Sequence, residues 1–254
     1  MKQYRAFCFD LDGTVYRGKE AIPAAIKFIR TLREKQLDYF FVTNNSSKTP
    51  SQIKEALLRF GVEASEKQIY SSAFVTAKYV KEHFGQAKVF VIGQDGIRYA
   101  LGQHNIHIVE ENPDVVVMGI DRMITYQKLA KACLAVQNGA TLIGTNEDIR
   151  VPTEAGFQPG NGSFVKLVAQ VCNVEPIFLG KPSPAILEMI RQEHGYQKSE
   201  MVMIGDNYDT DILCGIRFGC DTVHVNTGAV STEKVKEKEL QPTYCVQDLS
   251  EFEL

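Results

Sequence analysis

The sequence predicts an α/β protein built on parallel sheet, and three observations carry that prediction. Short, nearly uncharged apolar runs recur at 7–11, 39–42, 88–93, 115–119, 141–145, 177–179, 201–204 and 222–225. Most are separated by segments whose apolar residues repeat at helical spacing. Several of the runs end in clusters of polar side chains. Uninterrupted apolar runs suit strands buried on both faces. Their alternation with helices implies right-handed crossovers and parallel pairing.

The first run, Ala6-Phe7-Cys8-Phe9, ends in Asp10-Leu11-Asp12-Gly13-Thr14. Gly13 breaks the strand, so both acids belong at its carboxyl end, where open α/β sheets bind ligands. A helix is expected over 22–35, with Ile22, Ile26, Ile29 and Leu32 on one face. The second run ends in Thr43-Asn44-Asn45-Ser46-Ser47. Helices are expected from Thr49-Pro50 through Phe60, stopped by Gly61, and over 74–84. The strand and helix pattern then restarts at Lys88. It gives a helix over 96–103, a strand over 115–119, a helix over 125–136 and a strand over 141–145 that ends in Asn146-Glu147-Asp148. A loop rich in Pro and Gly is expected over 152–162, where Gly160-Asn161-Gly162 allows a tight turn. A helix follows over 163–171. The run at 177–179 ends in Gly180-Lys181-Pro182, and a helix over 184–194 is closed by Gly195. The run at 201–204 ends in Gly205-Asp206-Asn207, with Asp211 in the first turns of the next helix. The charge run at 233–239 reads as a solvated helix face, and 244–246 as an edge strand.

Composition narrows the function classes. A chain of 254 residues, 44% apolar and 23% charged, can bury a core as one large or two smaller domains. The net charge of −3 does not point to nucleic acid or anionic membrane as a partner. No apolar run reaches the roughly 18 residues of a membrane helix, and the start carries no signal-peptide pattern. A cytoplasmic protein is expected. The six cysteines show no C-x-x-C and no zinc spacing, and read as small buried hydrophobes in a reducing compartment. The five histidines share no ligand spacing.

Parallel strands bring the four polar clusters to one edge: Asp10 with Asp12, Thr43 with Asn44, Lys181, and Asp206 with Asp211. Converging carboxylates without His or Cys suit a hard cation, and Mg²⁺ takes one or two carboxylates together with substrate phosphate. Lys181 and the Thr43 hydroxyl beside such an ion would hold a phosphoryl group. An Asp carboxylate can be the nucleophile, and a second Asp can serve as acid and base.

These residues resemble the motifs of the haloacid dehalogenase superfamily. Asp10-Leu11-Asp12-Gly13-Thr14 is similar to its first motif, Thr43 to its second, Lys181 in Gly-Lys-Pro to its third, and Gly205-Asp206-Asn207-Tyr208-Asp209-Thr210-Asp211 to its fourth. The resemblance implies Asp10 as nucleophile and Asp12 as acid and base. It implies Mg²⁺ held by Asp10, the Asp12 backbone carbonyl and Asp206, with Asp211 as a further acid at the metal. Thr43, Asn44, Asn45, Lys181 and Asn207 would hold phosphate or substrate. Asp at position 12 favours phosphate-ester chemistry over dehalogenation.

About 100 residues of separate α/β pattern lie between the second and third motifs. They resemble the large cap that the family inserts there, and Thr43-Asn44-Asn45, Thr145-Asn146-x-Asp148, Pro159-Gly160-Asn161-Gly162 and Gly180-Lys181-Pro182-Ser183-Pro184 together resemble the NagD branch, which includes nitrophenyl-phosphatase-like and acid sugar phosphatases. The resemblance implies a doubly wound core from residues 1–84 and 177–254 and an inserted α/β cap from 85–176. Crossings near Phe84 and Pro176 would act as hinges for a closure that excludes water. Asn146 and Asp148 are the expected cap residues facing the substrate. The implied activity is Mg²⁺-dependent hydrolysis of a small phosphorylated metabolite, a sugar phosphate or nucleotide, with aryl phosphates as test substrates. The resemblance also allows a homodimer through the cap and leaves the oligomeric state open. The rivals are a phosphomutase and a phosphate-binding regulator on the same fold. The cap argues against the first and the second acid, Asp12, against the other.

Overall fold

The computed structural model describes residues 3–153 and 155–254. Its chain divides into two units. One comprises residues 1–43, 50–70 and 181–254; the other comprises 44–49 and 71–180.

The first unit is built on a six-stranded parallel sheet in the order Tyr244–Val246, Asp221–Val225, Met201–Gly205, Ala6–Phe9, Asp38–Thr43, Ile69–Ser71. The strand Ala6–Phe9 is buried at every position, as its uninterrupted apolar run requires. Alternate side chains face opposite layers. Phe7 and Phe9 meet Phe28 of the helix Pro23–Glu34 edge-on, with ring centroids 6.0 and 6.2 Å apart. Aromatic pairs of this kind contribute about 0.5–1.5 kcal/mol beyond their buried area. Phe41, Leu57 and Ile204 join the same core. Ala6 registers with Met201 and Phe9 with Ile204. From Ala6–Phe9 the sheet grows through Asp38–Thr43 to one side and through Met201–Gly205 to the other. Its switch point therefore lies between the ends of Ala6–Phe9 and Met201–Gly205, where open α/β sheets place ligands.

The second unit holds a five-stranded parallel sheet in the order Ile177–Phe178, Thr141–Gly144, Val115–Met118, Lys88–Ile92, His107–Ile108. Its core gathers Phe90, Ile92, Val116, Met118, Leu142 and Val165. Together the two sheets bear out an α/β core with a separate α/β insert. The helix Ser72–Phe84 falls in this second unit and packs on Asp95–Gln103.

Several elements differ from the sequence expectation. Part of the expected loop over 152–162 is an antiparallel hairpin, Arg150–Thr153 with Gly156–Pro159. Both of its strands are solvent-facing, so no burial pattern marks them. Gly160-Asn161-Gly162 opens the helix Asn161–Cys172 rather than a turn. A second hairpin, Tyr16–Arg17 with Glu20–Ala21, follows the first acid motif. Asp211 sits in a wide π-type turn, Tyr208–Ile212, that leads into the helix Leu213–Phe218. Cys8, Cys133 and Cys214 are buried as expected, whereas Cys245 is exposed. No helix of the described residues is long and apolar enough to cross a membrane.

Candidate active site

In the first unit the backbone delivers four charged side chains to the switch point. Asp10 is the residue after Ala6–Phe9, and its N–H still donates to Ile204 O at 2.9 Å, which extends the ladder by one residue. Asp206 follows Met201–Gly205 directly. Lys181 precedes the helix Ala185–His194. Its side chain is only 2% exposed. The ammonium donates to Asp10 Oδ1 at 2.6 Å, to Asp211 Oδ1 at 2.7 Å and to Val42 O at 3.0 Å. Three acceptors match its three protons. The Val42 carbonyl lies on the strand Asp38–Thr43, so Thr43 comes to the same edge.

Asp211 is also held by its own turn: its Oδ2 accepts from Asn207 N at 3.1 Å and its Oδ1 from the Thr210 hydroxyl at 3.2 Å. Asp206 accepts from the Thr14 hydroxyl at 3.3 Å and from Ala229 N at 2.5 Å. The backbone of 228–229 wraps this carboxylate so closely that a β-carbon at Gly228 would overlap it. The Thr227 hydroxyl ties the same loop to Gly13 O at 2.6 Å.

The electrostatics are unbalanced. Three carboxylates, Asp10, Asp206 and Asp211, bring oxygens within 4.8 Å of one another, and Lys181 is their ammonium partner. Burial pushes the Asp10 carboxyl well above its ordinary range, and the charge of Asp211 pushes the same way; Lys181 offsets only part of this. Burial and Asp211 raise Asp206 to about 6, against the Ala229 N–H, which favours its charged form. Burial alone would lower the Lys181 ammonium, but Asp10 and Asp211 more than reverse that and lock it charged. A set of hard oxygen donors with surplus negative charge fits a divalent cation.

The other expected residues take separate places. Asp12 is exposed and lies outside the carboxylate group; its Oδ1 accepts from Gly18 N at 3.3 Å, at the turn of the hairpin that follows. The Asn207 side chain accepts from Asp209 N at 3.0 Å and starts the wide turn. Asn45 Oδ1 accepts from Ser47 N and Lys48 N at 3.0 and 2.9 Å and so shapes its own turn. Asn44, Asn146 and Asp148 come together within the second unit. Asn44 Nδ2 donates to Asp148 at 3.2 Å, and Asn146 Nδ2 donates to Asn44 O at 2.8 Å. Asn161 braces this group, donating to Met118 O, the Thr145 hydroxyl and Asn146 O. Sequence reasoning missed the Ala229 N–H and the Gly228 approach. Thr227-Gly228 breaks the chain just after the strand Asp221–Val225, which is the signal that marked the other four clusters.

A haloacid dehalogenase-like hydrolase profile matches residues 7–107, and a second HAD-hydrolase-like profile matches 178–252. The 5'-nucleotidase YutF of Bacillus subtilis is 44% identical over 252 residues, which is 99% of this chain and 98% of that protein. The chain belongs to the haloacid dehalogenase-like hydrolases. Within this family it is a phosphatase. An acid sugar phosphatase of Staphylococcus aureus is 44% identical over 99% of the chain and 97% of its own length. The crystal structure of a double mutant of a thermostable NPPase from Geobacillus stearothermophilus superposes with a TM-score of 0.94 at 44% identity, covering 100% of this chain and 99% of that one. At 31% identity the 4-nitrophenylphosphatase of Thermotoga maritima still reaches 0.93, over 98% of this chain and 95% of that one. The haloacid dehalogenase-like core and cap thus account for both parallel sheets of the chain.

Proposed function

We propose that this phosphatase hydrolyses phosphomonoesters of small metabolites, sugar phosphates or nucleotides, through a phosphoryl-enzyme intermediate on Asp10. The single observation that supports this most is the Lys181 ammonium bridging Asp10 and Asp211 at 2.6 and 2.7 Å, beside Asp206. Such a group fixes a carboxylate for attack and surrounds it with charge suited to phosphoryl oxygens. The substrate classes come from relatives described as a 5'-nucleotidase and as acid sugar phosphatases.

In this reading Lys181 orients Asp10 through Oδ1 and leaves its other oxygen to attack phosphorus. Asp12 donates a proton to the departing alcohol oxygen. It then accepts a proton from the water that attacks the phosphoryl group, which frees phosphate and restores Asp10. Thr43, Asn44, Asn45 and Asn207 bind the phosphate or the substrate, and Asn146 and Asp148 belong to its binding through the cap. Asp10, the Asp12 carbonyl, Asp206 and Asp211 would hold Mg²⁺, which when bound neutralises phosphoryl charge and orients the oxygens. The surplus of buried carboxylate over ammonium supports that assignment.

The test is release of inorganic phosphate from p-nitrophenyl phosphate, a sugar-phosphate panel and nucleotides, with Mg²⁺ or with chelator. The expected result is Mg²⁺-dependent release that Asp10→Asn abolishes. Release that persists in Asp10→Asn, or that is indifferent to chelator, would overturn the reading.

A further inference from the structure

The second unit contains a short strap of chain, residues 44–49, far in sequence from the rest of that unit. It lies where an α/β sheet ordinarily keeps a ligand. From the strand Lys88–Ile92 the sheet grows to His107–Ile108 on one side and Val115–Met118 on the other, so its switch point lies at the carboxyl end of Lys88–Ile92. The helix Asp95–Gln103 begins there, and the first N–H groups of a helix need acceptors. The strap supplies them. Gly96 N donates to Ser47 O at 2.9 Å and Ile97 N to Ser46 O at 3.0 Å. The fully buried Ser46 hydroxyl accepts from Ile120 N at 3.0 Å, just past Val115–Met118.

The strap starts with Asn44, whose carbonyl accepts from the Ser72 hydroxyl at 2.7 Å and from Asn146 Nδ2 at 2.8 Å. The fit at the helix start is close. A β-carbon on Gly96 would stand 2.5 Å from Lys48 O and 2.6 Å from Ser46 O, both backbone atoms that cannot swing aside.

We propose that Gly96 is a positioning residue for Asn44: by carrying no side chain it lets the strap dock on the helix N-terminus, and this docking sets where Asn44 meets the substrate. The inference rests on the reading of Asn44 as a phosphate-binding residue. Gly96 touches no reacting atom. Its effect falls on substrate and phosphate affinity, and the chemical step at Asp10 and Lys181 is spared.

The experiment compares Gly96→Ala, Ser46→Ala, Asn44→Ala and Gly102→Ala in the full-length protein at saturating Mg²⁺. It measures KM and kcat for p-nitrophenyl phosphate, the inhibition constant of inorganic phosphate, and Tm. Gly102 lies on the same helix with open space around it, so Gly102→Ala controls for the effect of Ala on the helix. Losing a hydrogen bond to a charged ligand typically costs about tenfold to a hundredfold in affinity. Gly96→Ala and Ser46→Ala are therefore expected to raise KM and the phosphate inhibition constant about tenfold or more, with kcat within about threefold of the parent. Gly102→Ala leaves all three constants unchanged. If Asn44→Ala raises KM but folded Gly96→Ala and Ser46→Ala keep parent constants, the positioning role is wrong while the Asn44 reading stands. If Asn44→Ala itself keeps the parent KM, the Asn44 reading is wrong, and the inference falls with it. Ser46→Ala adds no atoms and so carries the test should Gly96→Ala fail to fold.

Discussion

Lys181 Nζ lies 2.6 Å from Asp10 Oδ1, with both side chains drawn into the switch point of the core sheet. The pair joins two segments 171 residues apart. Its 2%-exposed ammonium also meets Asp211, which is 1% exposed. Removing the Lys181 ammonium leaves Asp10 and Asp211 buried together without a counter-charge, at a cost of about 3–5 kcal/mol. Lys181→Met is expected to lower Tm by several degrees and kcat by about a hundredfold or more. Thermal unfolding in chelator and steady-state kinetics with Mg²⁺ check the two effects separately.

Asp10→Asn should separate stability from activity. Burial and the nearby Asp211 disfavour the charged form of Asp10, so a neutral amide relieves repulsion in metal-free protein. The variant is expected to unfold at an equal or higher temperature than the parent in chelator, while turnover falls by about a thousandfold or more. A folded variant that kept substantial turnover would count against Asp10 as the nucleophile, and one that unfolded at a lower temperature than the parent would count against the relief of repulsion.

Metal affinity should depend on pH in a defined direction. Asp206 is raised to about 6 by burial and by Asp211. Below that value it is protonated, and a proton must leave before a cation binds. Mg²⁺ affinity should therefore rise as pH increases from 5 to 7.5 and level off above. The same raised value stabilises metal-free protein at low pH and withdraws that contribution as pH climbs through about 6. The increase in Tm on adding Mg²⁺ should be larger at pH 7.5 than at pH 5.5. An equal or smaller increase at pH 7.5 would remove Asp206 from the metal ligands.

Gly228→Ala should weaken the proposed metal site without changing any charge. The new methyl group would overlap the Asp206 carboxylate, displacing it from Ala229 N. A shift of a ligand's support typically costs about tenfold to a hundredfold in metal affinity. Isothermal titration with Mg²⁺ measures that change, and circular dichroism confirms that the fold is kept.

The middle of the core sheet was readable because its central strands are buried on both faces. Phe7 to Phe9 and Met201 to Ile204 form apolar runs that admit little but a strand. Asp10, Asp206 and Asp211 were readable because each follows such a run or opens the segment after it, and parallel pairing brings them to one edge; Lys181 stood out by the same pattern, but the strand before it, Ile177–Phe178, pairs in the other sheet, so its place at the site does not follow from pairing in the core sheet. The hairpin at 150–159 was not readable, since its exposed strands impose no apolar alternation. The strand Ile69–Ser71 is three residues long and merges into the cap of the next helix. Asn146 and Asp148 stood out as a polar strand end, but their partner Asn44 lies 102 and 104 residues away. The strap was hidden for a related reason: Gly96 and Ile97 engage it through backbone N–H groups, which every residue type but proline carries.

That strap also bears on how such proteins could exchange parts. Residues 71–180 look like a cassette that could be cut out and replaced by the corresponding piece of a relative. Yet the carbonyls of Ser46 and Ser47, six residues of chain stranded between two core segments, complete the cassette's own helix start. A chimera built from 71–180 alone would leave those N–H groups facing a foreign loop. A graft that carries 44–49 along with 71–180 brings its own acceptors. Recombination within this family should therefore tolerate paired crossovers at both places better than a single excision.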